Sequence, residues 1–499
     1  MDRDELRAIA DLLERIAKDR SLLEDLPAED RERFLKAVAN VYHPDRVERR
    51  RMAKVVDKQR KAARVTRDQG VLQETGIRAL RRKPVFTTPN VFPPPVNTQS
   101  PTSNSQADPS RSSELLHCYV CKAKYTEIHH FYDQLCPACA ELNYRKRTEL
   151  ANLKGRVALL TGGRVKIGYQ AGLKLLRCGA HLIVTTRFPR DCAIRYSQEA
   201  DFDDWKERLE IFGLDLRHTP SVEAFCHELL ARRSRLDFII NNACQTVRRP
   251  PAFYRHMMER ELEAGRAGKA GGAGRAGEAG GAGREVSLVK TFQPITPFQP
   301  VPARLSQVAL LPEDEPGHLN LFPAGQLDQD LQQVDLRGRN SWRLLLHEVS
   351  SVELLEVHLV NAVAPFIFNA RLKALMLRTP ERDKHIVNVS AMEGQFYRNF
   401  KTTRHPHTNM AKAALNMMTR TSAADYHGGG IHMNSVDTGW ITDEDPAEIA
   451  ARKTVEQRFH PPLDIVDGAA RIVDPIIVGF NGGEHVWGKF LRNYRSTDW

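Results

Sequence analysis

A chain of 499 residues with 41% hydrophobic and 27% charged residues is too long for one small domain and predicts two or three units. Its apolar runs stop short of the roughly 18 residues of a membrane span. The opening MDRDELRAIADLLERIAKDR has no apolar stretch of the secretory kind, so neither a membrane protein nor a secreted one is expected. The net charge of +11 is uneven: Arg46 to Lys83 holds 14 Lys/Arg against 4 Asp/Glu, so the near-neutral remainder need not bind a polyanion.

Leu6, Ile9, Leu13 and Ile16 recur at helical spacing, as do Phe34, Leu35, Val38 and Tyr42. They predict two short amphipathic helices between Asp2 and Tyr42, with Pro27 in the first turn of the second. Arg46 to Asp68 continues as a basic helix. Its plain reading is a solvated face; contact with an acidic partner is the alternative, and nucleic acid is less favoured because aromatic side chains for base stacking are nearly absent. Residues 1–82 thus form a helical region. Residues 83–113, rich in Pro, Ser, Thr and Asn, read as a flexible linker.

A four-cysteine module spans 114–150. CYVC and CPAC, separated by 14 residues, offer Cys118, Cys121, Cys136 and Cys139 as four thiolates for one tetrahedral Zn²⁺. A filled shell leaves no open position, so the zinc is expected to be structural; His117, His129 and His130 lie nearby without being needed. A redox dithiol pair and a rubredoxin-type iron site are the alternatives. The module reads as a zinc ribbon or minimal treble clef, a kind that binds protein or nucleic acid. The remaining cysteines, Cys178, Cys192, Cys226 and Cys244, are scattered, which suits a reducing compartment and a cytoplasmic protein.

From residue 151 to 499, apolar strands alternate with helical stretches: RVALLTGG, HLIVTTR, LEIFGLDL, LDFIINNA, KHIVNVSA and IHMNSVDT, with HVWGKFLR as a last edge strand. Such alternation predicts an α/β fold with a doubly wound parallel sheet. An insert at about 245–340 breaks the pattern, and within it Ala264 to Arg284 is almost entirely Ala, Gly and Arg and should be disordered. A lid, a partner-binding arm and a merely tolerated expansion are all compatible with it.

The segment TGGRVKIG runs from a strand straight into a helix. Gly162 and Gly168 let the backbone turn tightly and approach a pyrophosphate, whose charge the helix N-terminus favours. This loop resembles the TGxxxGxG loop of the short-chain dehydrogenase/reductase family, with Lys166 standing where that family has its middle glycine. Other pieces follow in the family's order: Asp215 in GLDL, Asn241, Asn242 and Ala243 followed by Cys244, Asn361 in HLVNAVAPF, Ser390 in IVNVSA, Lys412 in NMAKAALNMMT, and VDTGW with Thr438 in place of proline before Gly439.

The resemblance implies a nicotinamide dinucleotide held by Thr161, Gly162, Arg164, Lys166, Ile167, Gly168, Arg187, Asp215, Asn242, Ala243, Lys412, Thr438 and Gly439. An NAD reader typically ends its second strand with an acid that binds the ribose 2′-OH. Here Thr185, Thr186 and Arg187 stand there, then Arg190, with Arg164 and Lys166 in the glycine loop, so a 2′-phosphate and NADP(H) are favoured over NAD(H). Ser390, Lys412 and Asn361 would be catalytic. The family's tyrosine position holds Thr408, whose aliphatic hydroxyl is too weak an acid to replace a phenol. Three explanations stay open: another residue moves the proton (Tyr397, His405 or His407), the chemistry needs no acid of that strength, or the domain binds cofactor without turnover. The expected activity is an NADP(H)-dependent oxidoreductase acting on a small organic molecule; a catalytically inactive scaffold or redox sensor is the alternative. Expected partners are a second copy of the chain and a protein held by the zinc module and basic helix.

Overall fold

The structure, a computed structural model, describes residues 2–42, 46–86, 88, 111–262, 288–292, 301–315, 320–397, 401–456 and 458–499. The low-complexity run 264–284 and most of the linker lie outside these. Two compact units are distinguished, Met1–Val71 and Leu72–Trp499.

The first unit is helical, as its periodicity predicts. Helices Arg3–Lys18 and Ala28–Tyr42 are joined through a short turn, and a long basic helix Arg46–Gln73 follows. A capping box starts the first helix, with Asp2 N–H donating to Glu5 Oε2 at 2.9 Å. Leu23 is buried there, while Leu6, Ile9, Leu35 and Val55 are exposed.

The second unit begins earlier than the sequence suggests. Helix Gly76–Arg82 belongs to it rather than to the helical region 1–82. The reason is packing: Ile77 is fully buried in one apolar cluster with Tyr132, Leu135, Ile441, Leu463 and Ile465. The expected linker 83–113 is also shorter at both ends. Thr88 is buried, donating to Glu199 and accepting from Gln170, and residues 111–113 open a strand. That strand, β1 (Arg111–His117), pairs antiparallel with β2 (Lys124–Glu127), and helix Pro137–Thr148 completes the cysteine module.

The main sheet contains β3 (Val157–Thr161), β4 (His181–Thr186), β5 (Leu209–Gly213), β6 (Phe238–Asn241), β7 (Val289–Lys290), β8 (Lys384–Ser390), β9 (Ile431–Asp437), β10 (Phe490–Arg492) and β11 (Arg495–Thr497). Their spatial order is β11-β10-β9-β8-β6-β3-β4-β5-β7, with only the β10–β11 pair antiparallel. Counted from β3, the six central strands run 3-2-1-4-5-6, the Rossmann order. The chain reverses between β3 and β6, and the crevice at the carboxyl ends there is where this fold places its ligand. Six of the predicted strands form the six central ones, buried on both faces.

One core lies under helices Lys166–Arg177 and Ile465–Gly482. The other lies under Thr219–Arg232, Ala364–Met376 and Pro406–Gly428. The stretch Ser351–Met376 is long and apolar enough to cross a membrane, but Phe368, Leu372 and Met376 are packed in this second core. The described insert residues are ordered on the domain. Helices Pro251–Leu262 and Pro302–Leu305 share a small apolar cluster with Phe188, β7 extends the sheet edge, and buried Arg248 makes a bidentate pair with Asp314 at 2.7 and 2.7 Å.

Candidate active site

The crevice at the switch point is a cavity of about 570 Å³. Of the predicted cofactor residues, Gly162, Arg164, Lys166, Ile167, Gly168, Arg187, Asp215, Asn242 and Ala243 line it; Thr161, Lys412, Thr438 and Gly439 do not. Thr161 acts one layer back. Its hydroxyl accepts from Asn242 N–H and Ala243 N–H, both at 3.0 Å, and Asn242 Nδ2 donates to the Thr161 and Gly162 carbonyls. The glycine loop is thereby fastened to the end of β6.

Close approach explains the glycines. Gly162 has φ +69°, and a Cβ there would stand 2.9 Å from Ala243 Cα. A Cβ on Gly168 would stand 2.2 Å from the Gly162 carbonyl oxygen and 2.4 Å from Asn242 Nδ2. Lys166 does what its position demands: it takes φ +54°, the left-handed conformation that a glycine would adopt without strain. Burial would lower the Lys166 ammonium, but Glu444, Asp330 and Asp328 outweigh it and hold the pKa above the ordinary lysine value. Two of those acids come from the insert. No spacing in the sequence announces that they meet the glycine loop.

The cations at the end of β4 are not equivalent. Arg164 is buried and committed: Nη1 donates to Asp191 at 2.7 Å, Nη2 to Gln332 at 3.3 Å, and the guanidinium lies over Phe188. Arg190 does not line the cavity. Arg187 does, with Nη2 donating to Tyr254 Oη at 2.8 Å and its guanidinium 4.7 Å from that ring's centre. The Asp215 carboxylate is gripped by Arg217 through the backbone N–H, Nε and Nη2. Burial would raise it, but Arg217 more than compensates and holds it below the usual carboxylate range. Arg217 in turn donates to Glu356 at 2.8 Å. Tyr254, Arg217, Asp328, Asp335 and the acids 443–445 are lining residues that the sequence reading missed.

The cradle therefore fits a dinucleotide: a helix N-terminus, two glycines that no side chain can replace, and a guanidinium at the end of the second Rossmann strand. The predicted catalytic residues sit deeper. Ser390, Asn361, Thr408 and Lys412 are all buried and do not line the cavity. Lys412 Nζ donates to the Val389 carbonyl at 2.8 Å, which brings it to the end of β8 beside Ser390. Asn361 lies in a π-turn, Leu359–Val363, and exchanges hydrogen bonds with the Gln245 backbone at 2.7 and 3.2 Å. The hydroxyls of Ser390 and Thr408 have no hydrogen-bond partner among the described residues, although both are more than nine-tenths buried. Buried hydroxyls left so are the exception.

Of the substitutes for tyrosine, Tyr397 is not brought to this point. Tyr397 is 87% exposed, so its phenol is turned to solvent. His405 caps helix Pro406–Gly428 with φ +44° and stacks flat on Trp342, ring centres 3.8 Å apart. His407 Nε2 lies 3.3 Å from Glu353 Oε1.

The four predicted metal ligands do converge. The sulfurs of Cys118, Cys121, Cys136 and Cys139 all lie within 4.8 Å of one another, and Cys121 Sγ is 3.6 Å from Cys136 Sγ. Zn–S bonds of about 2.3 Å in a tetrahedron put sulfurs roughly 3.8 Å apart, so the donor set fits. Around it, Tyr119 Oη accepts from Trp440 N–H at 2.9 Å, and Arg81 Nη2 donates to the Pro461 and Leu463 carbonyls at 3.0 and 2.7 Å. Arg147 binds Asp464 bidentately at 2.6 and 2.9 Å. The module is thus bonded to the segment that follows β9.

Comparison with known proteins agrees with this architecture. Residues 156–262 match the family model described as short chain dehydrogenase, and residues 340–463 match the one described as Enoyl-(Acyl carrier protein) reductase. An uncharacterized protein, R665, of Acanthamoeba polyphaga mimivirus is 29% identical over 382 residues, covering 73% of this chain and 72% of its own length. Retinol dehydrogenase 14 of Mus musculus is 36% identical over 100 residues, covering 18% of this chain and 30% of the enzyme. The chain thus spans about a third of the length of the named enzymes it matches. Among solved structures, the Pseudomonas aeruginosa RhlG/NADP active-site complex is 16% identical, covers 68% of this chain and 95% of its own, and aligns with a TM-score of 0.41. The two family matches fall on either side of the insert, one on β3 to β6 and the other reaching from before β8 past β9, and the chain thus carries short-chain dehydrogenase/reductase family domains.

Proposed function

We propose that this chain is an NADP(H)-dependent oxidoreductase that transfers hydride to or from a small organic substrate. The observation that carries the reading is Arg187, a cavity-lining cation held by Tyr254 at the end of the second Rossmann strand, where an acid would select NAD. The reduced nicotinamide supplies the hydride. The chain binds the pyrophosphate on the glycine loop and holds the 2′-phosphate with Arg187. Lys412 orders the end of β8, and Ser390 donates a hydrogen bond to the substrate oxygen.

The four cysteines hold a structural zinc in this reading, which shapes the segment after β9 and takes no part in the chemistry. Exposed Leu355, Val363 and Phe366 on one outer helical stretch and Met410 and Met417 on another support a second copy of the chain as partner. The basic helix Arg46–Gln73 supports an acidic protein partner.

A cofactor-binding scaffold without turnover is the second reading, and Thr408 favours it. The two are separated by following NADPH fluorescence on mixing, then screening turnover over carbonyl and enoyl substrates. Tight NADPH binding with turnover of any substrate class supports the enzyme. Binding with none supports the scaffold, and failure to bind either NADPH or NADH refutes both.

A further inference from the structure

Thr408 leaves the family's proton donor unaccounted for, but the strands bring another acid to the place. Ser390 ends β8 and Asp437 ends β9, and the two are direct partners in the parallel register, two residues beyond the pair Asn388 and Ser435. Asn388 Nδ2 and Ser435 Oγ both donate to Thr419 Oγ1, on helix Pro406–Gly428, each at 2.9 Å. Side chains alternate along a strand, so Ser390 and Asp437 share that same helix-covered face, about 4.8 Å apart across the sheet. It is the face that carries Thr408 and Lys412. Both Ser390 and Asp437 are more than nine-tenths buried. The Asp437 carboxylate is held in place: Oδ1 accepts from Met392 N–H at 3.4 Å, and Oδ2 lies 3.6 Å from Arg492 Nε.

We propose that Asp437 is the proton donor that stands in for the family's tyrosine, protonating the substrate oxygen that Ser390 polarises. The proposal rests on the oxidoreductase reading above. In the reducing direction, the carbonyl carbon gains a hydride from the reduced nicotinamide, which is left oxidised. The C=O π pair takes the proton of the Asp437 carboxylic acid, an O–H bond forms, and Asp437 remains as a carboxylate until water returns its proton.

The surroundings suit an acid of that kind. Burial pushes the Asp437 carboxyl up to about 6, and Glu393 on the turn after β8 adds to the rise. Arg492 on β10, Arg471 on helix Ile465–Gly482 and the Met392 N–H pull the other way. Tyr119 of the cysteine module also feels this carboxylate, and Lys412 stands on the covering helix with its ammonium on the Val389 carbonyl. A donor works best with a pKa near the working pH. His405 is the rival, but its ring is stacked flat on Trp342, ring centres 3.8 Å apart, and burial lowers its pKa.

The test compares the wild-type chain with Asp437→Asn, Asp437→Glu and His405→Gln. Asp437→Asn is expected to bind NADPH within about twofold of wild type, which also reports that it is folded, and to lose about 100-fold or more in kcat. Asp437→Glu should recover part of that loss. Wild-type kcat for reduction should fall as pH rises above about 6, since the acid must carry its proton. Independently of activity, the infrared spectrum of the protein without nucleotide should show a buried carboxylic C=O band that titrates near pH 6 and is absent in Asp437→Asn. The proposal is overturned by full activity in Asp437→Asn, by an unchanged pH profile, by a missing band, or by loss in His405→Gln alone. Any of these with intact NADPH binding and turnover leaves the oxidoreductase reading standing. A wild type that binds NADPH and reduces nothing overturns both.

Discussion

Replacing Arg187 with alanine tests the choice of cofactor where the structure makes it sharpest. The guanidinium is preset by its bond to Tyr254 Oη at 2.8 Å and by that ring beneath it, so little ordering cost remains when a phosphate arrives. Arg164, by contrast, already spends Nη1 on Asp191. A hydrogen bond to a charged partner contributes about 1.5–3 kcal/mol. At about 1.4 kcal/mol per tenfold, Arg187→Ala should weaken NADPH by roughly 10- to 150-fold. NADH lacks the 2′-phosphate, so its affinity should move by less than about twofold on the same principle. Tyr254→Phe leaves the phosphate's own bonds in place and removes only the hydrogen bond that orients the guanidinium; at about 1 kcal/mol it should cost NADPH roughly fivefold. Nucleotide fluorescence titrations at fixed pH and salt measure all three. Equal losses for NADPH and NADH, or a wild type that prefers NADH, would refute the reasoning, because the effect would then come from the shape of the cleft and not from the phosphate.

Gly168→Ala drives a methyl into the Gly162 carbonyl. It should destabilise the fold by about 1–3 kcal/mol in thermal melts and weaken NADPH by more than about tenfold. Removing the metal with a chelator, or changing Cys136 to serine, should take zinc from about one per chain to none. Either change should also lower the melting temperature, because the cluster holding Ile77 also holds Leu463 and Ile465; a chain that melts alike with and without metal argues against a structural site. Burial pushes the Glu261 carboxyl up to about 7, against the Arg190 and Asp191 N–H groups that favour its charge. A carboxyl raised in the folded state gives stability that is full below its unfolded value near 4.5 and is lost as pH rises through about 7. Wild-type stability should therefore fall from pH 5 to pH 8 relative to Glu261→Gln; parallel melting curves across that range would show the group to be solvated.

The strands were legible because each is a short apolar run closed by turn chemistry, and their order followed from alternation with helices. The glycine loop was legible because close backbone approach admits only a few residue types; that Lys166, the exception, enters glycine's conformation is seen only in the structure. The edge of the cleft was not. Asp328, Asp330 and Asp335 lie in an insert with no periodicity, and only tertiary folding brings them to Lys166 and Arg249. Nothing in GLDLRH says that Arg217 turns back onto Asp215, which the resemblance implies for the cofactor. Nor does a CxxC spacing reveal which surface its module rests on. Tyr397 failed as a substitute because chemistry is written in the sequence and exposure is not.

The bonds between the cysteine module and the segment after β9 bear on how the chain is made. Tyr132 donates its hydroxyl hydrogen to Asp467, 335 residues later. At the usual 5–20 residues per second, the ribosome needs roughly 20–70 s to deliver that partner. The module is synthesised early and closed late, with its apolar floor waiting for Leu463 and Ile465 while the whole Rossmann sheet is laid down between. A nascent chain stalled or truncated before residue 460 would carry that floor uncovered, which makes this junction the natural point of surveillance by chaperones and proteases. A zinc held by the four cysteines, as proposed, would pin the two knuckles early and keep the waiting surface in the shape its distant partner must meet.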